Sequence, residues 1–180
     1  ISKQVPELRI DLSAVAKGYA VDALAEVLEQ QGVSNYLLEI GGELQISGHR
    51  GDATTWQKSI ENPLEDAREV AAHFTLTNTG LATSGNYRNF YVKDGQRYAH
   101  TIDPVSGKPI RHKLASVTVL DQSCVRADAL VSGLMVLGDE KGRELCKKNH
   151  IAAYFLIHEK ESMTVYASPA FQAFVEEVKE

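Results

Sequence analysis

The chain has 180 residues, enough for one sizeable core, and a single domain over residues 1–180 is expected. Apolar residues make up 43% and charged residues 24%, with a formal charge of −5, an ordinary balance for a globular protein. No basic run is present to meet a phosphate backbone, which sets nucleic acid aside as a partner, and no stretch nears the ~18 apolar residues of a membrane-spanning helix.

Ile1 is not methionine, and ISKQVPELRI reads as a strand already inside a fold, ending near Asp11. A processed or truncated chain is expected, from which an export signal could have been lost. Ser13 has the chemistry of an N-cap, and AVAKGYAVDALAEVLEQQ follows with helical spacing at Val15, Tyr19, Ala23, Val27 and Leu28. Gly32 supplies its stop. Tyr36 to Ile40 reads as a buried strand, Gly41-Gly42 breaks it, and Glu43 to Gly48 resumes extended. Trp56 to Ile60 is a strand closed by Asn62-Pro63, and Ala71 to Thr79 alternates like a half-buried one.

Asn89 to Lys93 and Arg97 to Ile102 flank Asp94-Gly95, a hairpin signal. Residues 103–107 form a turn-rich loop. Leu114 to Leu120 is a strand, Ser123 to Leu137 a helix ending at Gly138, and Lys141 to Asn149 a shorter helix. Ile151 to His158 and Met163 to Ala167 pair as a last hairpin, and Pro169 opens a final helix. Interleaving without a regular βαβ period predicts an α+β fold with a largely antiparallel sheet packed with helices. Cys124 and Cys146 both fall in helical segments, so two buried free thiols are expected.

Four segments carry chemistry. In Asp11 to Asp22 a carboxylate precedes a helix start and Lys17 lies one turn in. Helix N-termini attract anions, Lys17 adds a point charge for a phosphate, and Asp11 can accept from a ribose hydroxyl or base amine. A capped amphipathic helix with a solvated lysine explains the same residues, and taken alone is the better account. Ala82 to Arg88 is small and hydroxylated, which suits close backbone approach to a ligand or merely a strand-to-turn junction; Ser84 lacks a local base. His100 stands near a strand end before Asp103-Pro104, a platform for a general base or a structural histidine. The other histidines have no such setting. In Arg126 to Gly133, Asp128 and Ser132 are four apart and share one helix face. That pair suits Mg²⁺, which takes oxygen ligands, although an N-terminal-turn aspartate with a back-bonded serine competes.

DLSAVAKGYAVD, GGE at Gly41 to Glu43, ATSGNYR, HTIDPVSGKP and ADALVSG, in that order, resemble the FAD:protein FMN transferase family, the ApbE-type flavin transferases. The similarity runs from about Asp11 to Gly138, with weaker support to Ala167. The resemblance implies an ApbE-like fold lacking its N-terminal portion, which in the family also lines the flavin pocket. It implies Mg²⁺-dependent transfer of FMN from FAD to a threonine hydroxyl of a target flavoprotein, with release of AMP. By position, Asp11, Lys17 and the Ile102 backbone contact FAD; the Ala14 carbonyl, Asp128 and Ser132 hold Mg²⁺; His100 is the base for the acceptor threonine. Ser132 departs from the family's usual threonine but keeps the hydroxyl. The resemblance also implies the periplasm or cell envelope, with any membrane attachment through a lipid anchor outside this chain. A Mg²⁺-dependent FAD pyrophosphatase and a non-catalytic flavin-binding module are the alternative functions.

Overall fold

The computed structural model describes residues 2–61, 70–86, 90–93, 96–99, 101–159 and 162–174. Residues 2–15 are exposed or half-buried turns and irregular backbone, so the strand expected before Asp11 is absent. A strand needs a ladder partner, and these residues pair with none of the described strands.

Helix α1 spans Ala16–Gln30. It begins later than the apolar spacing predicts, and its N-cap position is Val15, with no side-chain cap. Ser13 instead turns back on Asp11: its N–H and hydroxyl donate to Asp11 Oδ1 at 2.8 and 2.5 Å. The expected stop holds. Gly32 N–H donates to the Glu29 carbonyl and Val33 N–H to that of Leu28, the crossed bonds of a Schellman motif.

Strands β1 (Tyr36–Ile40) and β2 (Glu43–Ser47) form a hairpin in which Ile40 faces Glu43. Gly41 and Gly42 have φ of 59° and 101°, the left-handed pair that a two-residue turn matching strand twist requires. β1 is an outer strand of its sheet and buries only part of one face, so it is less buried than its apolar run predicts. β3 (Trp56–Glu61) pairs with β4 (Val70–Leu76) as a separate ribbon. The run expected to reach Thr79 stops earlier, because Asn78 adopts φ of 49° and redirects the chain. Thr79–Gly85 then forms β5, a central strand where the sequence suggests only a strand-to-turn junction.

β6 (Phe90–Lys93) and β7 (Gln96–Ala99) pair as the sequence predicts; the Asp94-Gly95 turn lies outside the described residues. Flanking the expected loop, β8 (Ile102–Asp103) and β9 (Lys108–Pro109) make a short ribbon. β10 (Leu114–Asp121), β11 (Ala152–Glu159) and β12 (Ser162–Ala167) complete an antiparallel sheet of order β1-β2-β5-β10-β11-β12. Helix α2 runs Cys124–Asn149, with Gly138 at non-helical φ 80° and ψ −176°; the two helices read from the sequence meet at that break. A four-residue helix, α3 (Pro169–Gln172), follows Ser168, whose hydroxyl accepts from Phe171 N–H.

The sheet is covered on both faces. Val117, Val119, Ala153 and Phe155 pack against Ala127, Val131, Leu134 and Met135 of α2. On the other face Leu44, Ile46, Leu81, Leu120 and Leu156 meet Phe74, Leu76 and Phe171. A register shift between Leu114 and Ser116 sends Leu114 to the α2 face and Ala115 to the other, against the strict period of two. Among the described residues no helix is long and apolar enough to cross a membrane. Cys124 and Cys146 are buried free thiols, as expected.

Candidate functional site

The site is built where α1 meets the start of α2. Gly18 sits in the first turn of α1, and a Cβ there would lie 2.6 Å from the Cys124 carbonyl oxygen and from Val125 Cα. Only glycine permits that approach. Four residues on, the Asp22 carboxylate reaches across and caps α2. Its Oδ1 accepts from Cys124 N–H at 2.9 Å; its Oδ2 accepts from Val125 N–H at 3.0 Å and the Ser123 hydroxyl at 2.9 Å. These are orphan donors of a helix start, where a carboxylate also complements the dipole.

Asp128 returns the contact. Its Oδ2 accepts from Gly18 N–H at 3.0 Å, and the residue is 3% exposed. The helix α1 lacks a local cap, so a side chain from α2 does that work. One consequence falls on Ala14. In a continuing helix Gly18 N–H would go to the carbonyl four residues back; with that N–H given to Asp128, the Ala14 carbonyl accepts from none of the described residues. Lys17 N–H likewise has no described backbone acceptor.

Ser132 lies one turn beyond Asp128 on α2 and is half-buried. A carboxylate, a hydroxyl and an unsatisfied carbonyl are all hard oxygen donors, which fits Mg²⁺. Among the described residues no three His, Cys, Asp or Glu side chains gather as a metal-binding group.

Glu43 completes the cluster, and the sequence motifs gave it no role. It is 2% exposed at the start of β2, and its Oε1 pairs with Lys17 Nζ at 2.5 Å. Lys17 Nζ also reaches the Gly41 carbonyl at 3.5 Å. Burial raises the Glu43 carboxyl above its usual range, opposed by Lys17 and reinforced by the negative charge of Asp128. Among the described residues its Oε2 is buried without a hydrogen-bond partner. The signal in the sequence is the GGE motif at Gly41 to Glu43, where an acidic residue directly follows the Gly-Gly break as the chain resumes extended.

Asp11 is exposed, and the two bonds from Ser13 hold its carboxyl below the usual range. Ile102 is exposed in the β8–β9 ribbon opposite Pro109. That ribbon leans on α2 beyond Ser132: Ile110 N–H donates to the Thr101 carbonyl, Thr101 Oγ1 bonds Asn86 Oδ1 at 3.3 Å, and Asn86 Nδ2 reaches Met135 Sδ at 3.2 Å. Asp103 closes the loop by accepting from Val105 and Ser106 N–H groups. His100 lies outside the described residues. The structure therefore brings Lys17 and Asp128 to the α1–α2 junction, with Ala14 in the turn before α1 and Ser132 one turn beyond Asp128, while Asp11 and Ile102 are exposed and bond none of these residues.

The sequence model of the ApbE family matches residues 1–155. The FAD:protein FMN transferase of Vibrio cholerae is 43% identical over 175 residues, 97% of this chain and 52% of that protein. Its counterpart in Escherichia coli K12 is 42% identical, again over 97% of this chain and 50% of the relative. Among solved structures, the apo flavinyl transferase ApbE of Pseudomonas stutzeri superposes with a TM-score of 0.85 at 43% identity, covering 93% of this chain and 52% of that one. The flavin transferase ApbE of Vibrio cholerae gives 0.86 at 42%, covering 97% and 55%. The chain spans about half the length of the relatives it matches.

Proposed function

The chain belongs to the ApbE family, and we propose on that premise that the full-length protein transfers FMN from FAD to a threonine hydroxyl of a target flavoprotein, with Mg²⁺ bound, and releases AMP. The observation that carries the reading is the buried Asp128 carboxylate joined to the first turn of α1 beside an Ala14 carbonyl free of its helical donor. Asp128, Ser132 and the Ala14 carbonyl would hold the ion. When bound, Mg²⁺ neutralises charge on the pyrophosphate oxygens.

The chain's own groups do the rest. The N-terminal turn of α1 turns N–H dipoles towards the anion, and the Lys17 ammonium adds a full charge beside it. Asp11 accepts from a ribose hydroxyl or a base amine of FAD, and the Ile102 backbone contacts FAD. His100 takes the proton from the acceptor threonine as its oxygen forms a bond to the FMN phosphorus. The bond from that phosphorus to the bridging oxygen breaks, and AMP leaves with the electron pair. Such a transfer needs positioning and charge stabilisation more than covalent help. The compartment implied is the periplasm or outer cell surface, with any lipid anchor carried outside this chain.

The test is to incubate the full-length protein with FAD and Mg²⁺, with and without a flavoprotein bearing an acceptor threonine. Covalent flavin on that protein, with AMP in equal amount, supports the reading. Free FMN at the same rate in both tubes makes the protein an FAD pyrophosphatase, and bound FAD that never turns over makes it a binding module. His100→Gly is expected to slow transfer per bound FAD while leaving FAD affinity in place; a loss of affinity alone would remove the base role.

A further inference from the structure

A buried glutamate with an unpartnered oxygen carries a desolvation cost that an apolar side chain would avoid. Glu43 is such a residue. Its surroundings are arranged for it. The left-handed pair Gly41-Gly42 delivers Glu43 to the first position of β2, and the Gly41 carbonyl and Glu43 Oε1 together form a two-oxygen seat. The occupant of that seat is the Lys17 ammonium, at 3.5 and 2.5 Å, although Lys17 itself is 45% exposed and could otherwise swing through solvent.

A lysine ammonium is a point charge on a four-carbon stem, so its worth to a phosphate depends on where it is held. Lys17 also stands one residue from Gly18, whose N–H binds Asp128. An unrestrained Lys17 has a second acidic group within the same cluster to neutralise, and Asp128 is the one the ion needs.

We propose that Glu43 is a positioning residue: with the Gly41 carbonyl it pins the Lys17 ammonium at the N-terminal turn of α1, where it meets a phosphate of the dinucleotide and stays off Asp128. This rests on the flavin transferase reading above. Glu43 acts through Lys17 and need not touch the substrate.

A double-mutant cycle on the full-length protein tests it, with FAD as the probe and riboflavin, which has no phosphate, as the control, both followed by quenching of flavin fluorescence. Glu43→Gln is expected to weaken FAD binding roughly tenfold, the scale of one charge-assisted contact, and to leave riboflavin binding unchanged. Lys17→Met is expected to weaken FAD binding at least as much. In the Lys17→Met background, Glu43→Gln should then have no further effect. Glu43→Asp, which keeps the charge and withdraws it by one methylene, should show the same dependence on Lys17 and serves if the glutamine variant does not fold. An equal loss with or without Lys17, or a parallel loss of riboflavin binding, overturns the inference. A wild-type protein that binds no FAD overturns the transferase reading as well, whereas FAD binding indifferent to Glu43 overturns this inference alone.

Discussion

Asp128 Oδ2 accepts a hydrogen bond from the backbone N–H of Gly18 at 3.0 Å, across the junction of the two main helices. The same carboxylate is the candidate ion ligand. One residue therefore closes a helix start and faces the chemistry, and substitutions must be chosen to separate the two duties.

Asp128→Ala leaves the Gly18 N–H without its partner in a buried place. A loss of about 1–3 kcal/mol of stability is expected, together with loss of flavin transfer. Asp128→Asn keeps an acceptor for Gly18 and should unfold near the wild-type denaturant midpoint, yet transfer should fall at least about a hundredfold. Near-normal transfer by the asparagine variant would remove the metal assignment.

Gly18→Ala places a methyl 2.6 Å from backbone atoms of Cys124 and Val125, which cannot yield as a flexible side chain does. The helices must separate, at a cost of about 1–3 kcal/mol. Because the Asp128 contact runs through the same residue, transfer should fall more than stability does. Crystallography of the variant would show α1 displaced from α2.

Asp22→Ala strips three hydrogen bonds from the start of α2. A drop of about 1–2 kcal/mol is expected from the cap alone. Amide exchange should quicken at Cys124 and Val125 while β12, at the outer edge of the sheet, keeps its protection. Uniform loss of protection would mean that the clasp holds the whole domain and not just one junction.

The thiols give a pH prediction. Burial, then the nearby carboxylates led by Asp22, pushes Cys124 up to about 12, and burial alone pushes Cys146 up to about 11, from 9.0. Both folded values exceed the unfolded value, so the stability they contribute is complete below pH 9 and lost as pH rises through 11 to 12. Denaturant midpoints should fall over that range and be flat with respect to these groups from pH 7 to 8. A thiol reagent such as DTNB should find neither cysteine in the native protein at pH 8 and both after unfolding; rapid native labelling would contradict their burial.

Local chemistry settled what could be read from the chain. Helical spacing located α1 and the two halves of α2 around Gly138, Gly-Gly marked the β1–β2 turn, and strand-like runs located β10, β11 and β12. Asp128 and Ser132 shared a face by arithmetic, and the motif order pointed to the family. Ser13, by contrast, has the chemistry of a cap but spends it on Asp11, and β5 was hidden because its small and hydroxylated residues read as a strand-to-turn junction beyond Thr79. Neither preference is decided until a partner is in place: a cap can be supplied from another helix, and a strand exists only where a neighbour offers a ladder. Asp128 bonding Gly18, Asp22 capping α2 and Glu43 seating Lys17 are contacts between residues 110, about a hundred and 26 positions apart in the chain. Sequence spacing could nominate Asp128, but only the packing of α1 on α2 and of β2 beside them decided that it is buried, what it holds, and that Glu43 stands with it.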